Sequence, residues 1–495
     1  MFKKIEKGLL ITLVIVLVVG FLTMPAQECP GDALAARIET VSLINSKRFG
    51  VPGEVASQFG DRGQFFYNNE KTGAWYSKYG ILNSLIYVPA LTLEKYITGK
   101  LEFSNPSRII VLNIHNLVLS LFFAGFLYST ARLFVTSQLT SAIFTVAVIY
   151  TTFCWNHLRV NNFEIHQTLF MTGATYYAIR VMRSIRVNDN LRSTRLTMLL
   201  TVLFLVALIL SKSVYVLILP LFAIAVAWPM ISKYCHSDKN QSKIFRKFIL
   251  WFFIPLSVGF LILLLVNDLR FGSPLNNGYT QWVREREPFS GDFLHGFWGF
   301  LFNTQFGIFT CFPVLLIALF YWREFIARFG VECALILAVS AVILITYSFY
   351  IRWSGPWCYG PRYLLPVLPL LALPFLLTIE NLIKSPFNFN KGISLAGIVT
   401  LLGISLYMQV MVNSMPFFVW WNLREGLFAN ANRLEVNEYL DGLPFGLINA
   451  DLKAFKNGKK FPPLEALRNE LTEDQYTRFG ELLRGMSVSN YYWFR

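Results

Sequence analysis

Apolar runs of about 20 residues, the length a helix needs to cross a bilayer core, recur along this chain almost to its end. They fall near 8–26, 109–131, 138–156, 166–182, 196–211, 213–232, 248–267, 306–322, 332–351, 361–379 and 392–413, eleven in all. The fifth and sixth come from one long run broken only by Lys212, which reads as a hairpin with the lysine at its turn. The expected fold class is an all-α polytopic membrane protein. Composition agrees: 15% of the 495 residues are charged and 55% hydrophobic, whereas a soluble chain carries about 25% charged residues. Such a surface is covered by lipid.

Basic residues orient the spans, because cytoplasmic loops collect lysine and arginine. Lys3, Lys4 and Lys7 precede the first span; Arg132, Arg183, Arg186, Arg192 and Arg195 follow the second and fourth. Lys233 to Lys247, Arg323 with Arg328, and Lys384 with Lys391 continue the alternation. The N-terminus is therefore expected in the cytoplasm. Met24 to Cys29 holds no A-x-A cleavage site, so the first run is read as an anchor rather than a signal peptide. Outside fall 27–108, 268–305 and a tail from 414. The chain divides into a membrane domain at 1–413 and a small helical extracytoplasmic domain at 414–495. Thr472 and Gln475 make a capping-box pattern in the tail.

The net charge of +15 points to anionic head groups or phosphorylated substrates. No zinc-finger spacing, RNA-binding signature or continuous basic helix is present, so nucleic acid is set aside as a partner. The six cysteines form no C-x-x-C, and no metal or redox cofactor is expected. Cys29 and Cys358 both fall outside in this topology, which leaves a disulfide between them open.

On a helix over 32–45, Leu34, Ile38, Val41 and Ile44 share a stripe about 120° wide, with Asp32 and Glu39 together on the opposite face. This reads as an interfacial helix holding two acids away from lipid, placed to act as a base on a membrane-tethered substrate. The alternative is that both acids merely solvate the helix. Ile81–Ile97, interrupted by Asn83, Ser84, Pro89, Glu94 and Lys95, reads as a second interfacial helix.

Further polar groups are expected at the same outer face. Lys212 is either a phosphate-binding point charge or a lysine snorkelling to the surface. His157, Arg159, Glu164 and His166 follow the third span, and Arg270 the seventh. After the ninth comes Arg352-Trp353-Ser-Gly-Pro-Trp357-Cys358-Tyr359-Gly360-Pro361-Arg362-Tyr363. Its arginines could clamp a phosphate bidentately, and its tryptophans could stack on a sugar or sit in the interfacial belt. His115 and His295 read as structural.

Several stretches resemble the GT-C superfamily of membrane glycosyltransferases, in particular bacterial relatives of the protein O-mannosyltransferases and the lipid A aminoarabinose transferase. They are Gly31-Asp32-Ala-Leu-Ala-Ala-Arg37, Tyr76-Ser77-Lys78-Tyr79-Gly80 leading to Val88-Pro89, Arg270-Phe271-Gly272-Ser273-Pro274 through Gly278-Tyr279, and Tyr359-Gly360-Pro361-Arg362-Tyr363. The resemblance covers most of 1–413 and leaves the tail unmatched. It implies a catalytic base at Asp32 and a carrier-phosphate lysine at Lys212. Ala33 stands where several relatives have a second acid, leaving Glu39 or Glu164 as a partner. Lys78, Tyr79, His166, Arg270, Trp357, Tyr359 and Arg362 complete the candidate binding set.

The function this implies is transfer of a monosaccharide, with inversion, from a polyprenyl-phosphate sugar to an extracytoplasmic acceptor. The acceptor is expected to be lipopolysaccharide O-antigen or another envelope glycan, and the setting a bacterial inner membrane with the C-terminus in the periplasm. An O-antigen ligase or polymerase is one rival, though such proteins usually carry their large loop late in the chain. A lipid flippase or transporter is the other, and would favour inverted repeats with midplane charges.

Overall fold

The computed structural model describes residues 6–414 apart from 26–31, 59–64, 104–107, 161, 188–190, 235–244, 280–286, 304–306, 356–358, 385 and 387. The expected tail domain, Trp357 and the Cys29–Cys358 pair lie outside the described residues.

The chain is mostly helical. Helix α1 (Lys7–Leu22) is followed by α2 (Asp32–Ser46), α3 (Gly53–Ser57), a hairpin of β1 (Phe66–Asn69) and β2 (Ala74–Ser77), then α4 (Ile81–Leu85) and α5 (Val88–Thr98). Next come α6 (Arg108–Phe134), α7 (Gln138–Tyr150), α8 (Cys154–Val160), α9 (Phe163–Val187), α10 (Leu191–Ser211) and α11 (Leu219–Tyr234). The remainder is α12 (Ile254–Phe271), α13 (Phe293–Phe302), α14 (Ile308–Cys311), α15 (Val314–Ser348), α16 (Leu368–Leu371), α17 (Phe375–Lys384) and α18 (Phe389–Ser414).

Among the described residues, five helical segments are long and apolar enough to cross a membrane, or six if the bent pair α7–α8 counts as one. The difference from eleven has local causes. The run at 138–156 bends by 66° between α7 and α8. The run at 361–379 holds Pro366, Pro369 and Pro374, and proline removes a donor and clashes with the preceding turn; it becomes a 3₁₀ turn at Arg362–Leu364, then α16 and α17. The run at 213–232 opens as a 3₁₀ turn, Ser213–Ile218.

Two expected spans join in α15, where Phe329 (φ −134°, ψ 40°) interrupts the helix. A straight helix of that length would part its ends by roughly 50 Å. Yet Phe312, just before it, packs on Phe153, which also touches Gly360, while Tyr347 near its end stacks on Tyr363. The chain therefore doubles back at Phe329. That turn lies with Arg183, over the Phe329 ring, and Arg183 and Arg186 both bind Glu332.

Exposed apolar side chains run along α1 (Leu10, Val14, Val18), α12 (Leu261, Leu265, Leu269) and α18 (Ile393, Val399). A buried core made largely from α6 to α11, α15 and α17 lies within. A second, smaller core lies under the segment between α1 and α6, where Ala36, Ile38 and Val41 of α2 meet Phe66, Tyr79, Tyr87, Leu91 and Phe163.

That segment departs from the all-α expectation and corrects two readings of its helices. Residues 66–77 form a hairpin, Phe66 opposite Ser77 and Asn69 opposite Ala74, turning at Gly73 with φ +68°. The single helix expected over 81–97 is two, broken at Ile86–Tyr87, with Pro89 at the start of the second where its missing N–H costs nothing. Helix α2 also differs from the expected interfacial helix: Ala33 and residues 35–42 are all buried, Glu39 fully so.

Candidate functional site

Asp32 opens α2, and its carboxylate stands where four segments converge. Tyr79, from the turn after β2, donates its hydroxyl to Asp32 Oδ1. Arg362 Nη1 donates to Oδ2 at 3.2 Å and lies 3.7 Å from Glu164 Oε1 at the start of α9. One guanidinium thus serves two carboxylates. Arg362 is 9% exposed and Glu164 7%, whereas the Asp32 side chain is 34% exposed and can be reached.

Lys212 sits in extended backbone between α10 and the 3₁₀ turn, as the hairpin reading placed it. Its ammonium lies 4.5 Å from the Tyr363 ring centroid and 4.9 Å from that of Tyr347, and these two rings stack at 4.6 Å. The Arg362 guanidinium is 5.0 Å from the same Tyr363 ring, and Arg362 Nη2 donates to the Tyr363 hydroxyl at 3.3 Å. Asp32 and Lys212 are joined through one tyrosine and one arginine.

Lys78 completes the cluster. It is buried, with Nζ 5.2 Å from the Tyr79 ring and 5.5 Å from that of Tyr279. Burial lowers its pKa to about 7, with Asp32 opposing and Arg362 and Arg352 adding to the fall. Burial pushes the Asp32 carboxyl upward, but Arg362, Lys78, the Tyr79 hydrogen bond and Lys212 outweigh it and hold it below the ordinary carboxylate value. Asp32 is thus held as a carboxylate, accepting from Tyr79 and Arg362.

Close backbone packing fixes the lysine beside this turn. A Cβ on Gly80 would lie 2.3 Å from Leu210 O and 2.4 Å from Ser211 O, and Asn83 Nδ2 donates to Ser211 O at 2.8 Å. A narrow crevice, with about 10 Å³ of free volume, is lined by Lys212, Tyr279, Gly80 and Ile81 and by Leu263 and Val266 of α12.

The other described candidates, Glu39, Arg270, His166 and Tyr359, have partners of their own. Glu39 does not face water beside Asp32: both its oxygens accept from Arg270 Nη2, at 3.0 and 2.9 Å, and Ser84 Oγ donates at 2.6 Å. A buried carboxylate needs such partners, and apolar periodicity does not reveal them. Arg270 is likewise spent on Glu39, Tyr79 O and Ser77 O rather than facing the cleft. His166 is buried against Tyr87, His115 and Phe163. Tyr359 is buried too, its carbonyl against His157 Nε2 at 3.2 Å and its hydroxyl accepting from Gln409 Nε2 at 3.4 Å.

Tyr279, Tyr347 and Tyr363 were not singled out by sequence. Tyr279 and Tyr363 fall inside the stretches that carry the family resemblance, a usable signal; Tyr347 reads only as one more aromatic in a span.

No family model and no curated protein matches the sequence. Solved structures do, and they show the fold, which is of the GT-C type. It is similar to ArnT from Cupriavidus metallidurans bound to undecaprenyl phosphate, at 11% identity and a TM-score of 0.50 over 98% of this chain and 76% of that one. It is also similar to the archaeal oligosaccharyltransferase AglB from Archaeoglobus fulgidus, in complex with an inhibitory peptide and a dolichol-phosphate. There the identity is 12% and the TM-score 0.52, over 81% of this chain and 55% of AglB, so this chain spans about half of that relative.

Proposed function

We propose that the protein is a glycosyltransferase that moves a monosaccharide, with inversion, from a polyprenyl-phosphate carrier to an extracytoplasmic acceptor, an envelope glycan such as lipopolysaccharide O-antigen. The setting is a bacterial inner membrane with the site on its periplasmic side. The observation that carries this reading is the pairing of a reachable carboxylate, Asp32, with two cations, Arg362 and Lys212, around the single ring of Tyr363. Likeness of fold to ArnT and AglB, whose structures hold undecaprenyl phosphate and a dolichol-phosphate, supports a lipid-phosphate carrier. The setting of Lys212 supports it too: the crevice beside it is bordered by Leu263 and Val266 of α12, a helix whose outer face is apolar and exposed, against which a prenyl tail would lie.

In the reaction, the acceptor hydroxyl attacks the anomeric carbon as Asp32 takes its proton. The bond between that carbon and the phosphate oxygen breaks, and its electron pair leaves with the phosphate, where Lys212 and Arg362 meet the growing charge. A positioned base contributes about 10²–10⁴-fold, and preorganised cations add to it where water is scarce. A depressed pKa weakens a base. Binding of the carrier phosphate would draw Arg362 from Asp32 and restore its basicity as the substrate arrives. The rival flippase reading gives Asp32 no task.

The test is deletion of the protein followed by mass analysis of the envelope glycans. A missing sugar is expected, restored by the wild type but not by Asp32→Asn or Lys212→Ala at equal membrane abundance. An unchanged glycan profile, or full restoration by both variants, would refute the proposal.

A further inference from the structure

The seven-residue spacing of Asp32 and Glu39, two turns of one helix, acquires a meaning once the partners of each are followed. Glu39 binds Arg270; Arg270 Nη1 donates to Tyr79 O at 2.9 Å and Nη2 to Ser77 O at 2.8 Å; the Tyr79 hydroxyl returns to Asp32. The path closes on α2, where it began. We propose that Glu39 and Arg270 are positioning residues, which hold the backbone of residues 77–79 so that the Tyr79 hydroxyl is fixed on the Asp32 carboxylate. This rests on the reading of Asp32 as the working carboxylate and assigns the Glu39–Arg270 pair a task in the same site.

Three features make the ring more than a buried ion pair. Its ends are the two acids of one helix, so the separation it must span is set by helix rise, about 10 Å over seven residues. The arginine comes from the last turn of α12, ahead of Gly272 at φ +75°, so a rigid element holds a turn that would otherwise move. The arginine fork also matches its acceptors, with one nitrogen on a carboxylate and a carbonyl and the other on a second carbonyl, which a lysine point charge does not reproduce. Asn69 Nδ2 adds a brace from β1, donating to the carbonyls of Leu269 and Arg270 at 3.2 Å each.

The test is a double-mutant cycle between Tyr79→Phe and Arg270→Lys on the full-length protein in lipid nanodiscs. It is read without substrate, by infrared titration of the Asp32 carboxyl band, assigned by subtraction of Asp32→Asn. This readout holds whether or not sugar transfer is observed, so failure of the functional reading and failure of the ring are told apart. Tyr79→Phe removes one hydrogen bond to the ionised form and is expected to move the Asp32 titration upward by roughly one pH unit. Arg270→Lys is expected to move it by a similar amount, and the double variant no further than either alone. Glu39→Gln, which keeps the shape of the acceptor, is read in the same way should Arg270→Lys not fold. A titration left in place by the Arg270 or Glu39 variant, or shifts that add in the double variant, would overturn the proposal.

Discussion

Replacing Gly80 with alanine isolates the contact that seats Lys212 beside the Asp32 turn. The backbone of Gly80 (φ −56°, ψ 143°) is one any residue adopts, so the glycine is required for space and not for conformation. An added Cβ would meet Leu210 O at 2.3 Å and Ser211 O at 2.4 Å, about 1 Å inside an ordinary contact. Both obstacles are main-chain atoms at the end of α10, so no side chain can rotate away. The turn carrying Tyr79 and the backbone carrying Lys212 must therefore part by about that distance. Overpacking of this kind costs about 1–3 kcal/mol, and a displacement near 1 Å between reacting groups can cost on the order of 10²-fold in rate. Thermal unfolding in nanodiscs measures the first, and recovery of the missing envelope sugar in the deletion strain the second. Gly397→Ala, whose Cβ meets nothing within 4 Å, is the control for a methyl group added without a clash, and inside helix α18 it should not lower the melting temperature. A Gly80→Ala protein that melts with the wild type and restores the full glycan would refute the close-packing argument.

The Lys78 pKa is depressed from 10.5 to about 7, so the unfolded chain binds a proton that the folded chain has lost between those values. Stability should therefore rise with pH across that window and flatten in Lys78→Met, as thermal unfolding against pH would record. The Asp32 carboxyl is depressed, so its contribution is present above the ordinary carboxylate value and lost as pH falls through the folded one; Arg362→Gln should move that loss to higher pH. Arg108 and Glu94, 2.9 Å apart and each 1% exposed, form a buried pair. Arg108→Met alone should cost about 3–5 kcal/mol, and the double change with Glu94→Leu far less, in equilibrium unfolding. Finally, Lys71→Cys should react with an impermeant thiol reagent in intact cells and Arg328→Cys only after permeabilisation, which checks the orientation drawn from the basic loops.

Much of the cluster was legible because charge in an apolar chain is conspicuous. Asp32, Glu164, Lys212 and Arg362 each interrupt or border a long hydrophobic run, and they meet in one cleft. Lys78 and Tyr79 were found through their motif. Partners in three dimensions were not legible. Glu39 and Arg270 look like free charges in sequence, and only the fold reveals that they cancel one another 231 positions apart. The β1–β2 hairpin was hidden by its shortness, four residues a strand, in polar, glycine-rich surroundings. The proline-broken helices after Arg362 keep span-like composition while losing span geometry, which hydropathy does not distinguish.

Arg362 divides its charge between Asp32 and Glu164, and this has a consequence for turnover. With Lys212 included, the two acids and two bases of the cleft sum to no formal charge, and burial lowers the pKa of the neighbouring Lys78 to about 7. On the proposed reaction the incoming donor is a phosphodiester with a single negative charge, while the spent carrier is a monoester with nearly two. A cleft rich in uncompensated cations would clutch that dianion and stall. One balanced by its own carboxylates can let the used lipid slip back along α12 into the membrane.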